Sequence, residues 1–167
     1  MPDAMPSPKE QFMNQFEREH ATTLKVLRAF PADKAEFRPH PRSQSARELA
    51  NTFVVEQGVI TGALTNTLDF SQGFPKPPEN FESIIEKFDN DFRSLMDLMK
   101  KTPDSRFFET AKFFAGPGHM ADYPIIELAW FMLCDQIHHR GQYSVYVRMA
   151  GGKVPSIYGP SADEPWS

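Results

Sequence analysis

Apolar side chains recur along this chain at steps of three and four, the spacing that gathers them on one face of an α-helix. From Lys9 to Phe30 the set Phe12, Phe16, Leu24, Leu27 and Phe30 keeps that spacing and Pro31 ends it, which predicts a first helix. A second helix is predicted from a cap at Ser43 or Ser45 to about Leu68, with Leu49, Phe53, Ile60 and Leu64 on its inner stripe. Glu48 stands three residues after Ser45, the spacing of a capping box. A third runs from about Asn80 to Lys101 on Ile84, Ile85, Phe88, Phe92, Leu95, Met96 and Met99, and Pro103 stops it. A fourth is predicted from Asp122 as cap, with Pro124 in the first turn, to about Met149, where Gly151 and Gly152 end it.

Residues 32–43 are rich in Pro and Arg and read as an ordered connection, and 71–79, with Gly73 and three prolines, as a second. Residues 107–117 are aromatic and bounded by Gly and Pro. They fit a long ordered loop or a small strand pair equally well, and the role of 104–121 stays open. Residues 1–8 are expected to be flexible and 153–167 to form an extended tail. The expected fold is all-α, a four-helix bundle in one domain over 1–167.

Composition agrees. A chain of 167 residues with 40% apolar and 24% charged side chains can bury a core without disulfides. Eighteen basic against 22 acidic residues leave a net charge of −4, and no basic run interrupts it, so a nucleic-acid partner is not expected. The single cysteine, Cys134, permits no internal disulfide and fits a reducing compartment; nothing near it in sequence would activate the thiol. The polar, proline-rich start carries neither a secretory signal nor an apolar span, so no membrane association is expected and the cytoplasm is the default.

Polar residues on stripes that should be apolar carry the chemistry. On the fourth helix the inward series reads Ile125, Leu128, Met132, Asp135, His139, Gln142, Tyr146. On the second, Glu56 falls in line with Leu49, Phe53 and Ile60, with Thr52 one turn earlier. A buried carboxylate without a partner costs several kcal/mol. Two facing helices bringing Glu56, Asp135 and His139 together would offer two carboxylates and an imidazole, a donor set with open positions for a divalent metal. The plainer alternatives are an i, i+4 ion pair between Asp135 and His139, and Glu56 reaching the rim to meet an arginine. His20 lies on the first helix's inner stripe and reads as a satisfied core histidine that could join the site. His138 is expected on the surface, and Arg140 toward solvent or a neighbouring acid. Nucleophile-elbow, phosphate-loop, dinucleotide and C-x-x-C motifs are all missing.

The run Asp135-Gln136-Ile137-His138-His139-Arg140-Gly141-Gln142, followed by Val147-Arg148-Met149 and Lys153 to Pro160, resembles the DinB/YfiT-like family, as do Phe37-Arg38-Pro39-His40-Pro41 and Ser45-Ala46-Arg47-Glu48-Leu49. The resemblance spans nearly the whole chain. It implies a four-helix bundle with long first and third connections, frequent dimers, and a divalent metal (nickel, zinc, iron or manganese) held by one histidine from helix two and an H-x-x-x-H pair from helix four. It further implies metal-dependent thiol transfer with bacillithiol, mycothiol or glutathione. This sequence departs from that triad. His139 is kept, Asp135 replaces the first of the helix-four pair, and the helix-two histidine falls near Thr52, with Glu56 the nearest strong ligand.

The expected function is therefore a metal-dependent S-transferase or hydrolase acting on a small molecule, with a low-molecular-weight thiol as a possible partner. Glu56, Asp135 and His139 would be ligands, Gln142 would orient a ligand or bound water in the pocket, and Tyr143 or Tyr146 would line it. The competing expectation is a non-catalytic binding or dimerisation bundle whose metal site has decayed. A homodimer is expected in either case.

Overall fold

The computed structural model describes residues 5–166. Helix α1, Pro8–Arg28, starts at a capping box in which Ser7 and Glu10 exchange side-chain-to-backbone bonds, with Pro8 in the first turn. Ser7 and Pro8 thus belong to the helix start, while residues 1–4 of the expected flexible segment lie outside the described residues. Helix α2, Ala46–Thr65, opens on the predicted Ser45–Glu48 box and closes at Asn66 in the left-handed region, three residues before the expected end. Helix α3, Phe81–Lys101, is capped by Asn80, whose side chain accepts from the backbone of Glu82 and Ser83.

Residues 110–124 form an antiparallel hairpin, β1 Thr110–Gly116 and β2 His119–Pro124, reversing at Gly118 with φ +69°. This resolves the open reading of the aromatic segment in favour of a strand pair. It also corrects the start of helix α4, Ile125–Met149. Asp122 does not cap that helix. It lies in β2 opposite Lys112, with which it forms an ion pair at 3.1 Å. The first α4 amide donates instead to the Glu109 carbonyl, just before β1. At the other end Gly152 lies against α1, where a Cβ would stand 2.7 Å from the Ala29 oxygen, so only glycine fits.

Each helix packs on two others, in the cyclic order α1, α4, α2, α3. Helices α1 and α2 are diagonal, as are α3 and α4, which is why the first and third connections must be long. The core falls into two apolar clusters. One gathers Phe12, Phe16, Ile60, Leu95, Met99, Phe107, Ile125, Leu128, Met132 and Leu133 near the hairpin. The other gathers Leu27, Phe30, Leu49, Phe53, Phe81, Phe88, Tyr143 and Val147. Between them in sequence order on three helices sit buried polar side chains: Glu19, His20 and Thr23 on α1, Glu56 and Gln57 on α2, Gln136 and Arg140 on α4. The tail from 153 has no regular element. Val154 and Ile157 pack on the second cluster, and Lys25–Glu164 and Arg148–Asp163 ion pairs hold the rest. Among the described residues no helix is long and apolar enough to cross a membrane.

Candidate metal centre

Helices α2 and α4 lie side by side, and their facing edges carry Glu56, Asp135 and His139. Asp135 and His139 are four apart and so share one face of α4. His139 Nδ1 and Glu56 Oε1 share a hydrogen bond of 2.7 Å, and His139 Nδ1 lies 3.8 Å from Asp135 Oδ1. One donor atom from each of the three lies within 4.8 Å of the other two. The expected trio does converge, but at the edge of the bundle and not in its dry interior. The Glu56 side chain is 4% exposed, that of His139 19% and that of Asp135 37%.

The electrostatics follow from that gradient. Burial pushes the Glu56 carboxyl up to about 7, against the pull of its bond to His139. His139 is in turn raised above the ordinary imidazole value, chiefly by its bond to Glu56, with burial opposing. Burial sets the first direction and the carboxylate neighbour the second. Glu56 Oε2 is buried and has no hydrogen-bond partner, a state that costs free energy unless a donor or cation meets it. Two carboxylate oxygens and one imidazole nitrogen are a donor set suited to a borderline or hard divalent ion, and the exposed side of Asp135 leaves room for further ligands. By this orphaned oxygen and this donor chemistry, the three residues fit such an ion.

Glu56 and Asp135 open onto a cleft of about 640 Å³, with His139 bonded to Glu56 beside it. Thr52, Val55, Val59 and Met132 line it from the helices, Phe74 and Pro75 from the connection between α2 and α3, Phe113 from the hairpin, and the exposed Arg38 and Arg42 from the connection between α1 and α2. Arg38 pairs with Glu48 at 3.0 Å. The Thr52 hydroxyl donates to the Glu48 carbonyl in its own helix at 3.3 Å. Phe74, Phe113 and the two arginines were not singled out from the sequence as pocket residues. The Arg/Pro-rich stretch before Ser43 was the one available signal.

The expected pocket residues on the last turns of α4 do not line the cleft. Gln142 is exposed and donates to His138 Nε2 at 2.8 Å. Tyr146 is buried in the second apolar cluster, where its hydroxyl donates to the Gln44 carbonyl and its ring stacks on Tyr143. Tyr143 is itself fully buried there, which raises its phenol far above the usual range. His20 does not join the site. It stacks on Phe92 with ring centres 3.7 Å apart and bonds Asp89 at 3.1 Å. Arg140 does not face solvent; it is buried against Glu19 at 2.7 Å, the neighbouring-acid alternative. Cys134 and His138 are exposed.

A sequence model of the DinB family matches residues 5–166. The chain belongs to the DinB family. Among curated proteins it is similar to YrdA of Bacillus subtilis strain 168, described as uncharacterized, at 24% identity over 155 residues, or 93% of this chain and 90% of that one. Among solved structures it is similar to a DinB-like protein from Bacillus cereus ATCC 10987, with TM-score 0.73 and 20% identity over 88% of this chain and 95% of that one. The DinB-like protein YjoA of Bacillus subtilis follows, with TM-score 0.68 and 15% identity over 86% and 93%. At these identities the solved relatives establish the fold class of this chain, a DinB-like bundle, and nothing finer.

Proposed function

We propose that this DinB protein is a metal-dependent enzyme acting on a small molecule in the α2–α4 cleft, an S-transferase using a low-molecular-weight thiol or a hydrolase using water. The observation that carries the reading is the convergence of Glu56, Asp135 and His139 within 4.8 Å, with a buried, unpartnered Glu56 oxygen among them. These three would hold nickel, zinc, iron or manganese. Bound there, such an ion supplies Lewis acidity and eases deprotonation of a thiol or water.

The protein's own groups do the remaining work. Before an ion binds, the 2.7 Å bond to Glu56 holds the His139 ring in place, and the ring also packs at a near-right angle to Phe53. Asp135, the most exposed of the three, is positioned to take up a proton at the cleft side. Phe74, Phe113 and Met132 keep water off a bound substrate, and Arg38 and Arg42 bias entry toward anionic or thiolate-bearing molecules.

Elemental analysis of protein purified without added metal, and again after reconstitution, tests the reading. One equivalent of a divalent metal per chain, lost in His139→Ala, supports it. Content well below one equivalent that reconstitution does not raise counts against it.

One observation favours a second reading. The Glu56–His139 bond lets each group satisfy the other in part without an ion, so the site fits a non-catalytic bundle that binds a small molecule or a second copy of the chain. Phe114 on the hairpin and Phe131 on the outer face of α4, 41% and 56% exposed, would serve a homodimer. A melting temperature unmoved by nickel, zinc or manganese would select this alternative.

A further inference from the structure

The metal cleft has a neighbour on the same helix. Asn51, Val55 and Val59, at steps of four, make a ridge along α2. One flank of the ridge carries Thr52 and Glu56 and faces the cleft. The other faces a second groove, about 720 Å³, between α2 and α3. Its walls include Val54, Leu68, Phe70, Leu95 and Leu98; of its four charged side chains Lys87 and Asp91 pair at 2.7 Å, and Asp69 and Lys76 are exposed on the connection at its mouth. The ridge residues, together with Phe74 and Pro75, border both cavities. The connection between α2 and α3 crosses at this point: Asn51 donates to the Pro75 carbonyl at 3.1 Å, and the Phe70 and Phe74 rings lean on Phe114 of the hairpin, 4.8 and 6.2 Å away.

Gly58 supplies an independent observation. It lies in the middle of α2, lines the groove, and is exposed, and a Cβ there would meet nothing within 4 Å. Alanine would fit the helix better, so the fold itself does not require this glycine. Gly62, one turn on, is different: a Cβ there would come within 2.8 Å of Leu68. At Gly58 the missing side chain keeps bare the floor of a groove that shares its wall with the metal cleft.

We infer that the groove holds the apolar arm of the molecule whose polar end enters the metal cleft. The substrate class is then an elongated amphiphile: a compact polar head at Glu56, Asp135 and His139, and an uncharged alkyl or acyl arm running past Phe74 over Gly58. The placement of the head rests on the metal reading above; the placement of the arm does not.

A series of alkyl hydroxamates, from acetohydroxamate to octanohydroxamate, separates the two. Titrate each calorimetrically into zinc-loaded and metal-stripped protein, in wild type, Gly58→Ala and Gly58→Leu. Burial of the arm should tighten binding by about twofold or more per methylene, on the order of sixtyfold or more across the series. Gly58→Leu should abolish that gain and leave acetohydroxamate binding to the zinc form unchanged, which also shows the variant folded. Gly58→Ala should keep the gain. If acetohydroxamate does not bind but the chain-length gain persists and vanishes in Gly58→Leu, the groove assignment stands and the metal reading falls. Equal affinity along the series overturns the inference, as does a gain untouched by Gly58→Leu. A Gly58→Leu effect confined to sedimentation also overturns it, because the groove would then belong to a second copy.

Discussion

Replacing Arg140 should destabilise the bundle far more than any cleft substitution. The guanidinium is 1% exposed and lies 2.7 Å from Glu19, itself 4% exposed. It also donates to the Thr23 hydroxyl and the Glu19 carbonyl, both at 3.3 Å, and to the Tyr158 hydroxyl at 2.6 Å. Tyr158 completes the loop by donating to Glu19 at 2.8 Å. Arg140→Met keeps most of the volume but leaves Glu19 as a buried carboxylate without its cation, a change that costs about 3–5 kcal/mol. For a chain of this size each kcal/mol moves the melting temperature by about 2–4 °C, so a fall of about 6–20 °C is expected. Removing both charges is a different perturbation. In Glu19→Leu/Arg140→Met no charge is stranded, and the double variant should melt well above Arg140→Met alone. Differential scanning calorimetry at neutral pH, with rescans to establish reversibility, reads all of this. If Arg140→Met melts within about 2 °C of wild type, or the double variant merely adds the losses of the two singles, Glu19 and Arg140 are not a coupled buried pair and the reasoning fails.

Three further outcomes are expected. Glu56→Gln and His139→Ala should each weaken zinc or nickel binding by more than the roughly 10–100-fold that loss of an outer-shell partner costs, read by competition with a chromogenic chelator; retention of wild-type affinity in either variant would remove that residue from the ligand set. Gln142→Ala should leave metal affinity unchanged and stability within about 0.5 kcal/mol, since Gln142 touches only His138 on the exposed face; a loss of metal would contradict its placement. Burial holds His20 below the ordinary imidazole value, against the attraction of Asp89. The unfolded chain therefore takes up that proton first as pH falls below 6.5, so the stability His20 contributes is present above that pH and lost on the way down to the folded value. The melting temperature of wild type minus that of His20→Gln should decline across this window, and subtraction removes the opposite-signed contributions of Glu56 and His139; parallel curves would refute the assignment.

The helices were legible because their boundaries are local. Ser45 and Glu48 make their box within one turn, and Asn80 caps α3 from the position just ahead of it. The hairpin was not, because its evidence is a pairing across the turn. Asp122 followed by Pro124 has the form of a helix cap, and only the partner strand, with Lys112 opposite, pulls Asp122 out to that role. At the candidate site, residue types were legible and positions less so. Asp135 and His139 were read at the centre of α4's inner stripe, but that centre runs through Gln136, Arg140, Tyr143 and Val147, all buried. With polar residues at both 135 and 136, periodicity alone does not choose between neighbours about 100° apart. The same offset explains why Gln142 was placed in the pocket and Arg140 near the surface. Glu56 was read on the buried stripe and is buried there, because Leu49, Phe53 and Ile60 bracket it with unambiguous apolar neighbours. Nothing local could have shown that Arg38, Phe74 and Phe113, from three separate connections, meet over it.

The Glu19–Arg140–Tyr158 contact bears on how the polypeptide is made. The ribosome releases Glu19 early, 121 residues before the arginine it must neutralise, and the tyrosine that joins them emerges 18 residues later still. Until then α1 has a stranded acid on its inner face and no α4 to pack against. The nascent chain must hold its first helix in waiting until α4 and the segment carrying Tyr158 have emerged to close this network.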